Sequence, residues 1–219
     1  MFAIRKTEAY VRWIDGLRDI HARARVLVRI ERLAQGNAGD VRPVGEGVSE
    51  MRIDYGPGYR VYYTKRGREV VVLLAGGDKR TQATDIKTAL RLARHLWERM
   101  MSKKTSTTRY DVAEHLRTPE EMAAYLEVCL EEADGDAACI AKALGDIARA
   151  MGMAQVARDA GLSRASLYKA LSGERSPDFA TILKVIGALG LKLHAEAPRS
   201  RPRASTSRQS SRTTKRRAA

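Results

Sequence analysis

The sequence predicts an α+β domain, then an all-α domain, then a disordered basic tail. Three observations predict it. Strand-like runs at Val48–Asp54, Tyr59–Lys65 and Val70–Ala75 follow one another across short glycine turns, the pattern of an antiparallel meander. After residue 110 the alternation stops and apolar residues recur at helical spacing. From residue 198 the chain is rich in Arg, Ser and Thr and nearly devoid of apolar side chains, so it has nothing to bury in a core. Met100-Met101-Ser102-Lys103-Lys104 reads as an internal start. The expected division is therefore 1–99, a linker at 100–109, 110–197, and a tail at 198–219.

In the front half, Phe2 to Arg5 alternates and predicts a short strand. Thr7 caps a helix to about Leu17, and Asp19 caps a second. In that second helix Val26, Leu27, Ile30, Leu33 and Ala34 share one face, while Arg23, Arg25, Arg29 and Arg32 cover the rest. Gly36 ends it, and Asn37–Asp40 is a loop. The meander follows. Its continuously apolar Val70–Leu74 is the expected buried central strand. Thr84 is the expected cap of a helix with Ile86, Ala89, Leu90, Ala93 and Trp97 inward. The predicted order is β-α-α-β-β-β-α.

In the rear half, Thr118-Pro119-Glu120-Glu121 spells a capping box with proline at the first helical position. Met122, Tyr125, Leu126, Cys129 and Leu130 form the stripe behind it. Asp111 to Asp136 holds nine acidic residues and one basic, which suits docking onto a basic neighbour. A helix from about Ala137 to Met151 carries Ile140, Leu144, Ile147 and Met151 inward, and Gly152 closes it. Gln155 to Leu171 then has the signature of a helix-turn-helix. Ala157 is small at the crossing, Gly161 permits the turn, Leu162 plugs the core and Ser163 caps the second helix. Gln155, Ser163, Arg164, Ala165, Ser166, Tyr168 and Lys169 remain as candidate DNA-contacting residues. Ser176-Pro177-Asp178 opens a last helix with Phe179, Ile182, Leu183 and Ile186.

The formal charge of +14 is uneven: +8 over residues 1–100, −2 over 101–197 and +8 over 198–219. Such a balance suits polyanion partners, most simply nucleic acid, and equally suits plain solubility. Two cysteines, Cys129 and Cys139, are too few for a disulfide framework or a thiolate metal site. The four histidines are scattered and read as structural or surface residues. Neither a metal nor a cofactor is expected. The N-terminus turns charged at once and no apolar run approaches membrane-spanning length, so a cytoplasmic protein with no membrane partner is the expectation.

One cationic group stands out. Arg52 and Arg60 flank the Gly56-Pro57-Gly58 turn on neighbouring strands, and Lys79 and Arg80 follow the last strand. Four converging cations suit a phosphate whose charge grows during reaction. A solvated sheet face protected by Lys and Arg is the bland alternative.

The stretches Gly45–Ile53, Tyr55–Tyr63 and Leu73–Gln82 resemble the HigB-like toxins of the RelE/ParE superfamily of type II toxin–antitoxin systems. The resemblance runs from about Phe2 to Leu96 and implies a RelE-like fold and a ribosome-dependent endoribonuclease that cuts mRNA. It assigns phosphate clamping and transition-state stabilisation to Arg60, Arg52 and either Lys79 or Arg80. The tyrosine that RelE carries near its C-terminus has no counterpart at Ala83–Ile86; Tyr62, Tyr59 or another group fills that role. The ParE branch shares the fold but poisons gyrase. Ala143–Ala150, the helix-turn-helix and Phe179–Leu191 are similar to the HigA-type antitoxins, which neutralise such a toxin and repress their own operon. The resemblance thus implies a fused toxin–antitoxin protein with operator DNA, ribosome-bound mRNA and its own other half as partners, acting as a homodimer. A gyrase poison and a DNA-binding regulator with an inactive toxin half are the alternatives.

Overall fold

The computed structural model describes residues 2–67, 70–101, 107–133, 135–174 and 177–194, with the side chains of 97–101 excepted. The tail at 198–219, most of the expected linker, Ser176 and the Trp97 side chain lie outside the described residues.

The front half begins with β1 (Ala3–Lys6), α1 (Glu8–Gly16) and α2 (Ile20–Ala34). Thr7 and Asp19 cap the two helices, accepting from the Tyr10 and Ala22 amides at 3.2 and 3.0 Å. The strands are β2 (Val41–Gly45), β3 (Val48–Ile53), β4 (Tyr59–Arg66) and β5 (Val70–Asp78), and α3 (Gln82–Met101) closes the unit. The meander therefore has one strand more than the sequence predicted. β2 carries Pro43 and faces mostly outward at the sheet edge, where a missing amide costs no ladder bond. Glu46 and Gly47, both at positive φ, make its two-residue turn into β3.

The sheet order is β2-β3-β4-β5-β1-β6. β5 is interior, parallel to β1 and antiparallel to β4. It runs three residues beyond the expected Ala75, because glycines there make room for both helical layers. A Cβ at Gly76 would lie 2.1 Å from Trp13 Cε3 on α1, and one at Gly77 would lie 1.8 Å from Asp85 Oδ2 on α3. α3 starts before Thr84, since the Thr84 and Asp85 amides both donate to the Thr81 carbonyl at 3.0 Å.

The sheet separates two cores. Met51, Ile53, Val61, Tyr63, Val71 and Leu73 face α1 and α2, whereas Val48, Tyr62, Val72 and Leu74 face Ala89, Ala93 and Leu96 of α3. The first core continues into the rear half through Tyr110, Leu116, Tyr125 and Leu144.

The rear half enters by β6 (Thr108–Arg109), which pairs antiparallel with β1. Those two residues, expected as linker, are the outer strand of the front half's sheet. A 3-10 turn (Val112–His115) leads to α4 (Pro119–Glu132), α5 (Ala137–Met151), α6 (Met153–Asp159), α7 (Arg164–Leu171) and α8 (Phe179–Ala188). Both bonds of the Thr118–Glu121 capping box form. Leu130, Met151, Phe179 and Leu183, expected in apolar stripes, are exposed.

Candidate functional site

β3 and β4 alternate between the two cores, so Glu50, Arg52, Arg60 and Tyr62 share the face that α3 partly covers. Register places Arg52 directly opposite Arg60, and Glu50 directly opposite Tyr62. Two like charges opposite each other destabilise a strand pair. The fully buried Glu50 offsets this. Arg52 Nε donates to Glu50 Oε2 at 3.2 Å, and Arg60 Nε lies 3.2 Å from Oε1. The Tyr62 hydroxyl and the Gln82 amide of α3 also donate to Oε1, at 3.2 and 2.8 Å. A buried carboxylate thus pairs with both guanidiniums, through a hydrogen bond to Arg52 and through charge alone to Arg60, whose Nε has no hydrogen-bond partner.

Arg60 Nη1 donates to the Gly58 carbonyl at 2.6 Å. A Cβ at Gly58 would stand 3.5 Å from Arg60 Nη1 and 3.9 Å from Lys79 Cβ. The bare turn therefore brings the base of Lys79 beside the Arg60 guanidinium. Arg52 is 36% exposed and Arg60 12%. Arg80, expected in the same group, points out into solvent and pairs with Asp78 at 2.8 Å. That hydrogen bond holds the Asp78 carboxyl below its ordinary value. Tyr62, a candidate catalytic tyrosine, is wholly buried beneath the face. Burial first, then the Glu50 carboxylate, raise its hydroxyl well above the usual tyrosine range. Asp40, in the loop after α2, approaches Arg52 Nη1 at 3.7 Å.

Glu50, Gln82 and Asp40 escaped sequence reasoning. For Glu50 a signal existed: it is a second charged residue two positions from Arg52, at the same parity of one strand. Gln82 and Asp40 gave none, because only tertiary packing brings them to the site.

A second candidate surface lies on α6 and α7. Gly161 takes a positive φ, the Leu162 amide reaches back to the Ala157 carbonyl at 2.9 Å, and Ser163 Oγ accepts from the Ser166 amide at 3.0 Å. Leu167 and Leu171 are buried. Gln155, Ser163, Arg164, Ala165, Ser166, Tyr168 and Lys169 are all exposed.

The two halves meet along α2 and α4. Arg23 pairs with Glu121, Arg25 with Glu131 at 2.7 Å, and Arg32 with Glu132 at 2.8 Å. Lys142 of α5 pairs with Glu31 at 2.5 Å, Arg117 with Asp15 at 2.8 Å, and Lys6 with Glu114. This docking lies on the opposite side of the sheet from Arg52 and Arg60. Beneath the seam His115 is buried, stacked on Tyr110, with Nδ1 3.6 Å from Asp15. Burial, and then the Lys6 ammonium, push the His115 imidazole down to about 4. Among the described residues no cluster of His, Cys, Asp and Glu is arranged to hold a metal ion, and no helix is long and apolar enough to cross a membrane.

Residues 12–98 match the family described as phage derived protein Gp49-like, and residues 106–197 match the family described as probable addiction module antidote protein. Two proteins of Haemophilus influenzae, both described as uncharacterized, are similar to parts of this chain. One is 45% identical over 93 residues, which are 42% of this chain and 94% of the relative. The other is 52% identical over 90 residues, 41% of this chain and 91% of the relative. No solved structure matches the chain at a significant level.

Proposed function

This chain belongs to the toxin–antitoxin modules, a Gp49-like segment and an antidote segment in one polypeptide, and on that premise we propose that its front half is a RelE/HigB-like mRNA endoribonuclease restrained in cis by a HigA-like rear half. The observation that carries this reading is the Arg52–Arg60 pair, opposed in register and held by one buried carboxylate. In the proposed reaction the ribose 2′-hydroxyl gives up its proton to water and attacks the adjacent phosphorus, forming a 2′,3′-cyclic phosphate, while the 5′-oxygen of the next nucleotide leaves and takes a proton from water. Negative charge builds on the phosphoryl oxygens in between. Arg52 and Arg60 offer preorganised donors to that charge, and Lys79 adds a mobile one. Tyr62 is buried, so it acts through Glu50 as a positioning residue. Removing one such donor costs roughly 100- to 1,000-fold in rate.

The restraint works by bulk. The docked rear half sits on α2 and β1 and leaves the cationic face open, so it excludes the front half from a confined site such as the ribosomal decoding region without plugging the cleft. The α7 surface stays exposed in the same chain, and operator binding is compatible with docking. In a homodimer two α7 helices would enter major grooves about 34 Å apart.

The test is Arg60→Ala within residues 1–99, assayed in a translating extract. Transcript cleavage that falls at least 100-fold supports the reading. Intact transcripts together with blocked supercoiling would favour gyrase poisoning instead, and neither effect would favour a pure regulator.

A further inference from the structure

The cationic face does not end at Arg60. Tyr59 and Tyr55 stand on the neighbouring turn, both half-buried. Tyr59 lies close enough to Asp19, the cap of α2, for that carboxylate to raise its hydroxyl, after the larger effect of burial. Tyr55 carries the Arg25 guanidinium of α2 4.9 Å over its ring. A contact path therefore runs from Lys79 and Arg60, over Gly58 and the two tyrosines, to Arg25. Beyond Arg25 the helix continues with Arg29 and Arg32 and contains no lysine. Guanidinium groups bind phosphate and carboxylate with the same planar fork, and interleaved tyrosines offer stacking faces to unpaired bases.

In the intact chain the far end of this path is occupied. Glu131 and Glu132 of α4 sit on Arg25 and Arg32. The nearby Glu127 reaches His21 at 3.8 Å. Nine acidic residues between Asp111 and Asp136 concentrate this negative charge on the segment that docks.

We propose that α2 is a second RNA-backbone surface of the front half, continuous with the Arg52–Arg60–Lys79 face across the Tyr55–Gly58 turn, and that the α4 carboxylates hold the places of RNA phosphates on it. The inference rests on the RNA-cleaving reading and adds how the rear half restrains it. Docking removes the length of RNA that the front half can grip, while the Arg52–Arg60 pair itself stays uncovered. Release of α4 then exposes both ends of one track.

The experiment uses the full chain and a short fluorescent single-stranded RNA, with affinity read by anisotropy across a salt series. E131Q/E132Q removes the two carboxylates from Arg25 and Arg32 and keeps side-chain shape. RNA affinity is expected to rise about tenfold, and the salt slope to steepen by about 1.4, the value for two single-strand phosphates. Adding Arg25→Gln and Arg32→Gln is expected to cancel both changes. The α7 surface and the basic tail are common to every variant, so their binding drops out of the comparison. Glu131→Gln alone, at a half-exposed position, is expected to shift affinity in the same direction by less and guards against a folding defect in the double variant. No rise in either variant, or a rise that survives loss of Arg25 and Arg32, overturns the inference and leaves α2 as a protein-docking surface. The anisotropy needs no cleavage. A rise in affinity beside unchanged cleavage in Arg60→Ala would sink the nuclease reading alone. Cleavage lost in Arg60→Ala without the rise would sink the α2 surface alone.

Discussion

Tyr62 lies directly opposite Glu50 in the β3–β4 register and donates its hydroxyl to the buried carboxylate at 3.2 Å. That bond connects the sheet interior to the two arginines outside it. Glu50 is the charge that lets Arg52 and Arg60 stand face to face. Glu50→Gln keeps the volume and removes the charge. It should destabilise the protein by about 3 kcal/mol, as loss of one partner of a buried ion pair does. Tyr62→Phe should cost only about 1 kcal/mol. Urea midpoints at constant m-value measure both.

His115 gives the seam a pH dependence whose sign follows from burial. Its imidazole is held neutral, at about 4 in the folded protein against an ordinary 6.5. A folded value below the unfolded one means that protons favour the unfolded chain. The contribution is therefore complete above about pH 6.5 and declines as pH falls toward 4, with a ceiling of about 3 kcal/mol. His115→Phe should flatten the stability profile between those limits, as read by thermal melts across pH.

Gly76 is held to glycine by Trp13, whose ring stands 2.1 Å from the place of a Cβ. Gly76→Ala forces α1 away from the sheet and should cost about 2–3 kcal/mol. The pair Gly76→Ala with Trp13→Leu should recover part of the loss, which a double-mutant cycle measures.

The pairs across the α2–α4 seam are partly exposed, so each is worth little alone. A cycle on Arg32 and Glu132 should give a coupling of roughly 0.5–1 kcal/mol that shrinks as salt is raised. An apolar core runs continuously beneath these pairs. High salt by itself should therefore loosen the rim without separating the halves.

On the second surface, Arg164→Ala and Lys169→Ala, both at exposed positions of α7, should each weaken binding to duplex DNA under the proposed reading. Competition with unrelated duplexes then tells loss of base readout from loss of phosphate contact, since only the former relaxes specificity.

Four helix starts were legible because capping is local. Thr7, Asp19, Thr118 and Ser163 each accept from an amide three residues on, whereas Thr84 already lies inside α3. The Arg52–Arg60 opposition was legible for a similar reason, since a short turn fixes the register of the strands beside it. What escaped depends on distant parts of the chain. β2 hides because a proline-bearing edge strand has no buried alternation. β6 hides because two residues cannot show a period and form a strand only against β1. Leu130 and Leu183 fit helical stripes, yet each stripe is wider than the face its neighbours cover. Glu50 is the most instructive miss. Its role exists only once Arg52, Arg60, Tyr62 and Gln82 surround it.

The most direct measurement maps transcript ends in cells that express residues 1–99, residues 1–99 with Arg60→Ala, or residues 1–99 with residues 101–219 supplied separately. Cleavage within translated messages is expected in the first strain only. Cleavage that persists without the Arg60 guanidinium, or that the separately supplied rear half leaves untouched, would overturn the reading of a restrained RNA-cleaving front half.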